Sequence, residues 1–249
     1  MPPEGGRPCP SCHQGMQGLA LPGTYGGQVD IDACFSCHGF WFDPQENLKL
    51  APEAIATLFK AMHRHQDAPR LPLAERLACP QCRAALVQGF DVVRSGRFIT
   101  HRCPQHHGRF SSFASFLIEK GFVRQLTRPE IAEIAAKVGV IHCSSCGAPV
   151  DLRREDACSH CRSALSLLDP QAVEKALQRL GTAPAAGPAT PTPAEAVADA
   201  LLAMAREQAR RERQDRVTPL GAPGGLGASV LGVDLLGAGL SAFSRLWDD

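Results

Sequence analysis

Two cysteine pairs near the start of the chain, Cys9-Pro10-Ser11-Cys12 and Cys34-Phe35-Ser36-Cys37, constrain it more than any other feature. Each C-x-x-C turn aims two sulfurs at one point. The 21 residues between the pairs are enough for a β-hairpin that carries the second turn back to the first. Such spacing belongs to a metal-bound ribbon and not to a disulfide framework.

The layout then repeats. Cys79-Pro80-Gln81-Cys82 opens a second unit, and Cys103-Pro104-Gln105-His106-His107-Gly108-Arg109-Phe110 closes it. Aligning the closing segments puts Cys103 on Cys34, His106 on Cys37, Gly108 on Gly39 and Phe110 on Trp41. His106 is therefore the expected fourth ligand, with His107 in the slot of His38. A third, shorter unit runs Cys143-Ser144-Ser145-Cys146, eleven residues, then Cys158-Ser159-His160-Cys161. Eleven cysteines and His106 supply twelve ligands, which fill three tetrahedral sets with none left over. Thiolate-rich tetrahedral sets suit Zn2+, so three zinc ions per chain are expected; iron in a four-thiolate site remains open for units one and three. Replacing one thiolate by a neutral imidazole makes the second site less negative and the easiest to strip.

With these residues in place, positions 9–48 resemble the transcription-factor-IIB-like zinc-ribbon family of small bacterial proteins, whose pattern runs C-P-x-C, then C-x-x-C-x-G-x-W-L-D-x-G-E-L. Cys9-Pro10-Ser11-Cys12, Cys34 to Asp43 and Glu46 follow it, while Gln45 stands at the second glycine and Asn47 at the following leucine. The second unit is a degenerate copy that keeps Gly108 but has Phe110 for Trp and Ser112 for Asp. The third matches a generic ribbon only. The resemblance implies zinc binding and says little about partners.

A ribbon of about 40 residues buries too little apolar surface to offset its backbone entropy, so metal must supply folding free energy. The expected architecture is a small metal-stabilised α+β chain of three tandem zinc ribbons joined by short helices, with a flexible C-terminal helical tail. Ribbon 1 is assigned to 7–45, a helical connector to 46–70, ribbon 2 to 75–115, a second connector to 116–140 and ribbon 3 to 141–168. A helix at 169–181, a disordered linker at 182–193, an amphipathic helix at 194–217, a flexible linker at 218–228 and an apolar tail helix at 229–247 complete it. Within these, Pro52 to about His65 places Ile55, Leu58, Phe59 and Met62 on one face, and Thr127-Arg128-Pro129-Glu130 reads as a capping box.

The whole chain carries a formal net charge of +1, but residues 70–128 hold 10 basic and 3 acidic side chains. This basic central ribbon makes Arg83, Arg94, Arg97, Arg102 and Arg109 candidate nucleic-acid contacts, with Phe90, Phe98 and Phe110 interleaved for stacking. The competing reading is a solvated arginine surface over a small phenylalanine core. The N-terminal residues show no charged segment followed by an apolar one, and reduced cysteines fit a cytoplasmic location. Each metal site already has four protein ligands, and no catalytic motif stands out, so a non-enzymatic chain is expected.

The tail places Val233, Leu236, Leu240, Phe243 and Trp247 at helical spacing. Asp234, Arg245 and three glycines make it a costly membrane span, so it is assigned to docking, on a protein partner, a second copy of the chain or the chain's own ribbons. The leading function is thus a zinc-binding adaptor with a docking tail. The alternatives are a nucleic-acid-binding or transcription-associated ribbon protein and a redox-sensitive zinc-thiolate switch.

Overall fold

The computed structural model describes residues 6–65, 71–169, 171–172, 194–217 and 234–236. Its first two ribbons are not separate beads. Strands β1 (Gln17–Pro22), β2 (Gln28–Cys34) and β3 (Gly39–Phe42) form one antiparallel meander. Strands β4 (Val87–Val93), β5 (Gly96–Arg102) and β6 (Arg109–Ser112) form the second. The closing strands β3 and β6 pair antiparallel, Trp41 opposite Phe110, which joins the meanders into a six-stranded sheet of order β1-β2-β3-β6-β5-β4. Every residue of β3 is buried. Phe40 and Phe42 face one core while Trp41 faces another, as the two-residue period of a strand requires.

Helices cover the Phe40 face. Helix α1 (Glu46–Lys49) follows β3 at once, and α2 (Pro52–Arg64) lays Ile55, Leu58, Phe59 and Met62 into the core, as their spacing predicts. Helix α3 (Phe113–Lys120) starts where Ser112 accepts from the Ser115 N–H at 3.1 Å and ends at Gly121, whose φ of +77° suits glycine. Phe40, Phe42, Phe59, Phe113, Phe116 and Phe122 meet mostly edge to face at 5.5–6.1 Å, each contact worth about 1 kcal/mol beyond burial.

The third ribbon is built on the short hairpin of β8 (Val140–His142) and β9 (Pro149–Asp151). Strand β10 (Ser166–Leu168) leaves it and pairs with β7 (Val123–Gln125), tying the ribbon to the chain that follows α3. Helix α4 (Arg128–Lys137) opens with the expected capping box: Thr127 accepts from Glu130 N–H and Glu130 from Thr127 N–H. Hydrogen bonds from Arg124 and the Thr127 groups outweigh burial and bring the Glu130 carboxyl down to about 2.

The amphipathic helix α5 (Ala194–Val217) finds its partner within the chain. Ala194, Val197, Ala198 and Leu201 pack into one core with Ile131 and Ile134 of α4 and with the third ribbon, and Lys137 pairs with Asp199 at 2.8 Å. The linkers at 182–193 and 218–228 lie outside the described residues, as does most of the helix at 169–181, at whose start Asp169 accepts from Gln171 N–H at 3.0 Å. No helix among the described residues is long and apolar enough to cross a membrane.

Candidate metal centres

Three donor sets converge: Cys9, Cys12, Cys34 and Cys37; Cys79, Cys82, Cys103 and His107; and Cys143, Cys146, Cys158 and Cys161. Within each set the donor atoms lie within 4.8 Å of one another. Sulfur–sulfur distances are 3.6 Å for Cys12–Cys34, Cys82–Cys103 and Cys143–Cys161, and 3.8 Å for Cys146–Cys158. All are too long for a disulfide and close to the ~3.8 Å edge of a tetrahedron with Zn–S bonds of ~2.3 Å. His107 Nδ1 stands 3.8 Å from Cys79 Sγ and 3.5 Å from Cys103 Sγ, near the ~3.6 Å expected for a mixed sulfur–nitrogen edge. The donors fit zinc in number, kind and spacing, and the chain carries three zinc-ribbon sites.

The backbone shows why the cysteines converge. In four of the turns the first Cys receives the N–H of the residue four positions on: His13→Cys9, Arg83→Cys79, Gly147→Cys143 and Arg162→Cys158. These four residues, and His38 after Cys37, all sit in the left-handed region, at φ between +49° and +78°. Each directly follows the second cysteine of its pair, so the chain turns just after presenting its ligand.

The turn at Cys103 departs from this, and it overturns the assignment of His106. Here the N–H that returns to the Cys103 carbonyl belongs to His106, three positions on. His106 itself takes the left-handed conformation, φ +60°, and its side chain is exposed. The turn closes one residue early, and His107 faces the thiols. The strand register is otherwise as aligned, with Cys103 N–H on Gly108 O just as Cys34 pairs with Gly39. A longer imidazole arm reaches the site from the slot of His38, so C-x-x-x-H replaces C-x-x-C without disturbing the strands.

The thiols share protons unequally. Hydrogen bonds from Cys37 and Cys9 hold Cys34 down to about 2, while the Cys34 contact and burial push Cys9 up to about 12 against the opposing Cys37 contact. In the third set Cys158 is lowered by Cys143, Cys146 and Cys161. Backbone amides assist, with Ser11 N–H on Cys9 Sγ and Cys37 N–H on Cys34 Sγ, both at 3.4 Å. Burial opposes ionisation of Cys103, yet the backbone N–H groups of His107 and Gln105 bring it down to about 7. The second site is also the most open, because Cys82 is exposed whereas the other ten cysteines are buried or partly so.

Sites 1 and 2 share one apolar cluster that includes Met16, Trp41, Leu77 and Phe110. Their knuckle glycines explain the sharing. A Cβ on Gly39 would lie 2.2 Å from the Phe110 ring, and one on Gly108 would meet the Phe42 carbonyl at 2.3 Å and the Trp41 ring at 2.9 Å. Each ribbon's glycine makes room for the other ribbon's aromatic side chain. Trp41 also donates from Nε1 to Asp43 at 2.8 Å, and Arg7 donates to the same carboxylate oxygen at 2.6 Å. Asp43 is thereby occupied, and the N-cap of α1 is Gln45, left-handed at φ +70° where the family pattern has glycine.

Asn47, the other departure from that pattern, donates to Glu119 of α3 at 2.9 Å. Glu119 also pairs with Arg109. Arg102 pairs with Asp91, and Arg97 stacks over Phe90 at 4.1 Å. Phe98 and Phe110 are core residues. Of the five candidate arginines, Arg83 and Arg94 are exposed and outside any ion pair among the described residues. Of the docking-tail candidates, Leu236 is buried, and Leu240, Phe243 and Trp247 lie outside the described residues.

Comparison with protein families matches residues 8–52 to the model described as "Transcription factor zinc-finger", a zinc ribbon of the transcription-factor-IIB type. Neither the curated proteins nor the solved structures gave a match.

Proposed function

With a zinc ribbon at residues 8–52 as premise, we propose that the chain is a non-enzymatic zinc-binding adaptor whose metals are structural. The observation that carries this reading is the completeness of the donor sets. Four protein donors at tetrahedral spacing leave no coordination position for a catalytic water. When bound, zinc supplies the cross-links that fix the turns; the chain's own residues do the rest.

An exposed apolar surface at the end of the sheet supports a protein partner. Strand β4 is an edge strand, and Val87, Phe90 and Val92 on it are 60%, 44% and 78% exposed. An apolar edge with unpaired backbone groups favours a partner that adds a strand. Capture of crosslinked partners by full-length protein and by Val92→Asp tests this. Loss of a specific partner from Val92→Asp, with three zinc ions retained, supports the adaptor; identical capture by both removes β4 from it.

The nucleic-acid reading draws its support from the Arg97–Phe90 stack and from the exposure of Arg83 and Arg94 on the same ribbon. Two or three phosphate contacts give a log–log salt slope of about −2 on single strands, against about −3.5 for all five arginines. Oligonucleotide titrations at several salt concentrations separate these values from no binding.

A further inference from the structure

Three tail residues, Asp234-Leu235-Leu236, sit against the third knuckle. The Asp234 backbone bridges in parallel to His142, the residue before Cys143, and so extends the β8–β9 hairpin. Asp234 Oδ1 accepts from Ser144 Oγ at 3.0 Å and from Leu236 N–H at 3.0 Å. Ser144 lies between Cys143 and Cys146, inside the metal turn. Leu235, 1% exposed, enters the cluster that contains Cys143, Cys158 and Cys161, whereas Leu236, 4% exposed, enters the aromatic core beside α3. Their cleft is lined by Ala114, Ile118, Ser145, Leu165 and Ser166. Consecutive leucines thus join two cores that meet at the third ribbon.

We propose that the third knuckle is a receptor for this acidic-dileucine segment of the chain's own tail, and that zinc at this site and tail capture stabilise each other. It rests on the third site being a zinc site. The receptor surface is the turn itself: Cys143 N–H bonds Ala148 O, Gly147 N–H bonds Cys143 O, and His142 Nδ1 is 2.8 Å from Gly147 O. Metal bonds through Cys143 and Cys146 fix that turn, and with it the Ser144 hydroxyl and the His142 edge. Reciprocity follows from linkage, because whatever zinc adds to tail affinity the tail adds to zinc affinity. Sixteen residues, 218–233, separate α5 from Asp234. They reach up to about 50 Å when extended, so the segment is a tethered ligand whose position α5 does not dictate.

Hydrogen exchange and zinc release to a chelator on the zinc-loaded full-length chain test the coupling, with Asp234→Ala, Asp234→Asn and Leu236→Asp. Asp234→Ala removes the acceptor shared by Ser144 and Leu236. It should speed exchange across 234–236 and 140–165, and release of the third zinc, by about tenfold each, leaving 7–45 unchanged. Asp234→Asn keeps the accepting oxygen and should stay near wild type even if Leu236→Asp unfolds more widely. Exchange at 234–236 as fast in wild type as in Asp234→Ala would overturn capture. Unchanged zinc release in Asp234→Ala would overturn the coupling. A wild-type chain holding about two zinc ions, with 140–165 unprotected, would remove the zinc site on which both rest.

Discussion

Neighbouring histidines at the end of one turn show how a ligand is chosen by backbone conformation. His106 occupies the sequence slot of Cys37, yet the left-handed residue of this turn is His106 itself, and only His107 reaches the thiols. Loss of His107 leaves three cysteines, and loss of His106 leaves the donor set whole. Zinc analysis should therefore give about two ions per chain for His107→Ala and about three for His106→Ala. The reverse order would restore the alignment-based assignment. Asn47 is legible at this scale only after folding. Its partner Glu119 is 72 residues away and itself holds Arg109, so nothing near Asn47 announces why leucine was given up.

At the scale of elements, most of the fold was legible because its signals are local. Ligand spacing places the six turns, the apolar face of α2 is read directly, and Thr127 with Glu130 marks the start of α4. The pairing of β3 with β6 is not legible in the sequence, since a strand does not name its partner. The hint was present in Gly39-Phe40-Trp41-Phe42, apolar on both faces and therefore unsuited to the edge of a lone ribbon. The glycines carry the consequence. Gly39→Ala puts a Cβ inside the Phe110 ring envelope, between strands that cannot separate without breaking the sheet. Overpacking of this kind should cost about 1–3 kcal/mol, read as a lowered midpoint in thermal unfolding of the zinc-loaded chain. Phe110→Leu in the same chain should recover part of that loss, whereas additive losses would mean that ring and glycine do not interact.

For the whole molecule, the pairing of β3 with β6 means that two metal sites share one core. Cys9, Cys34 and Cys37 of the first site and Cys79 and Cys103 of the second contact the cluster that holds Trp41 and Phe110. Independent ribbons would lose their ions one at a time, each at a rate set by its own donors. Fused ribbons behave otherwise. The second site is the weaker, with one imidazole in place of a thiolate and with Cys82 exposed. When it empties, the 103–107 turn loosens, Phe110 loses its support, and the ring that fills the space over Gly39 is free to move. Trp41 then loses a packing neighbour although its own four cysteines are intact. In a Trp247→Phe background, where Trp41 is the remaining tryptophan, His107→Ala should shift its emission to the red and speed chelator removal of the first zinc. A buried aromatic neighbour is worth about 1 kcal/mol, which sets the expected acceleration at about fivefold. Unchanged Trp41 emission, with zinc leaving the first site at the wild-type rate, would show two ribbons that touch without sharing stability.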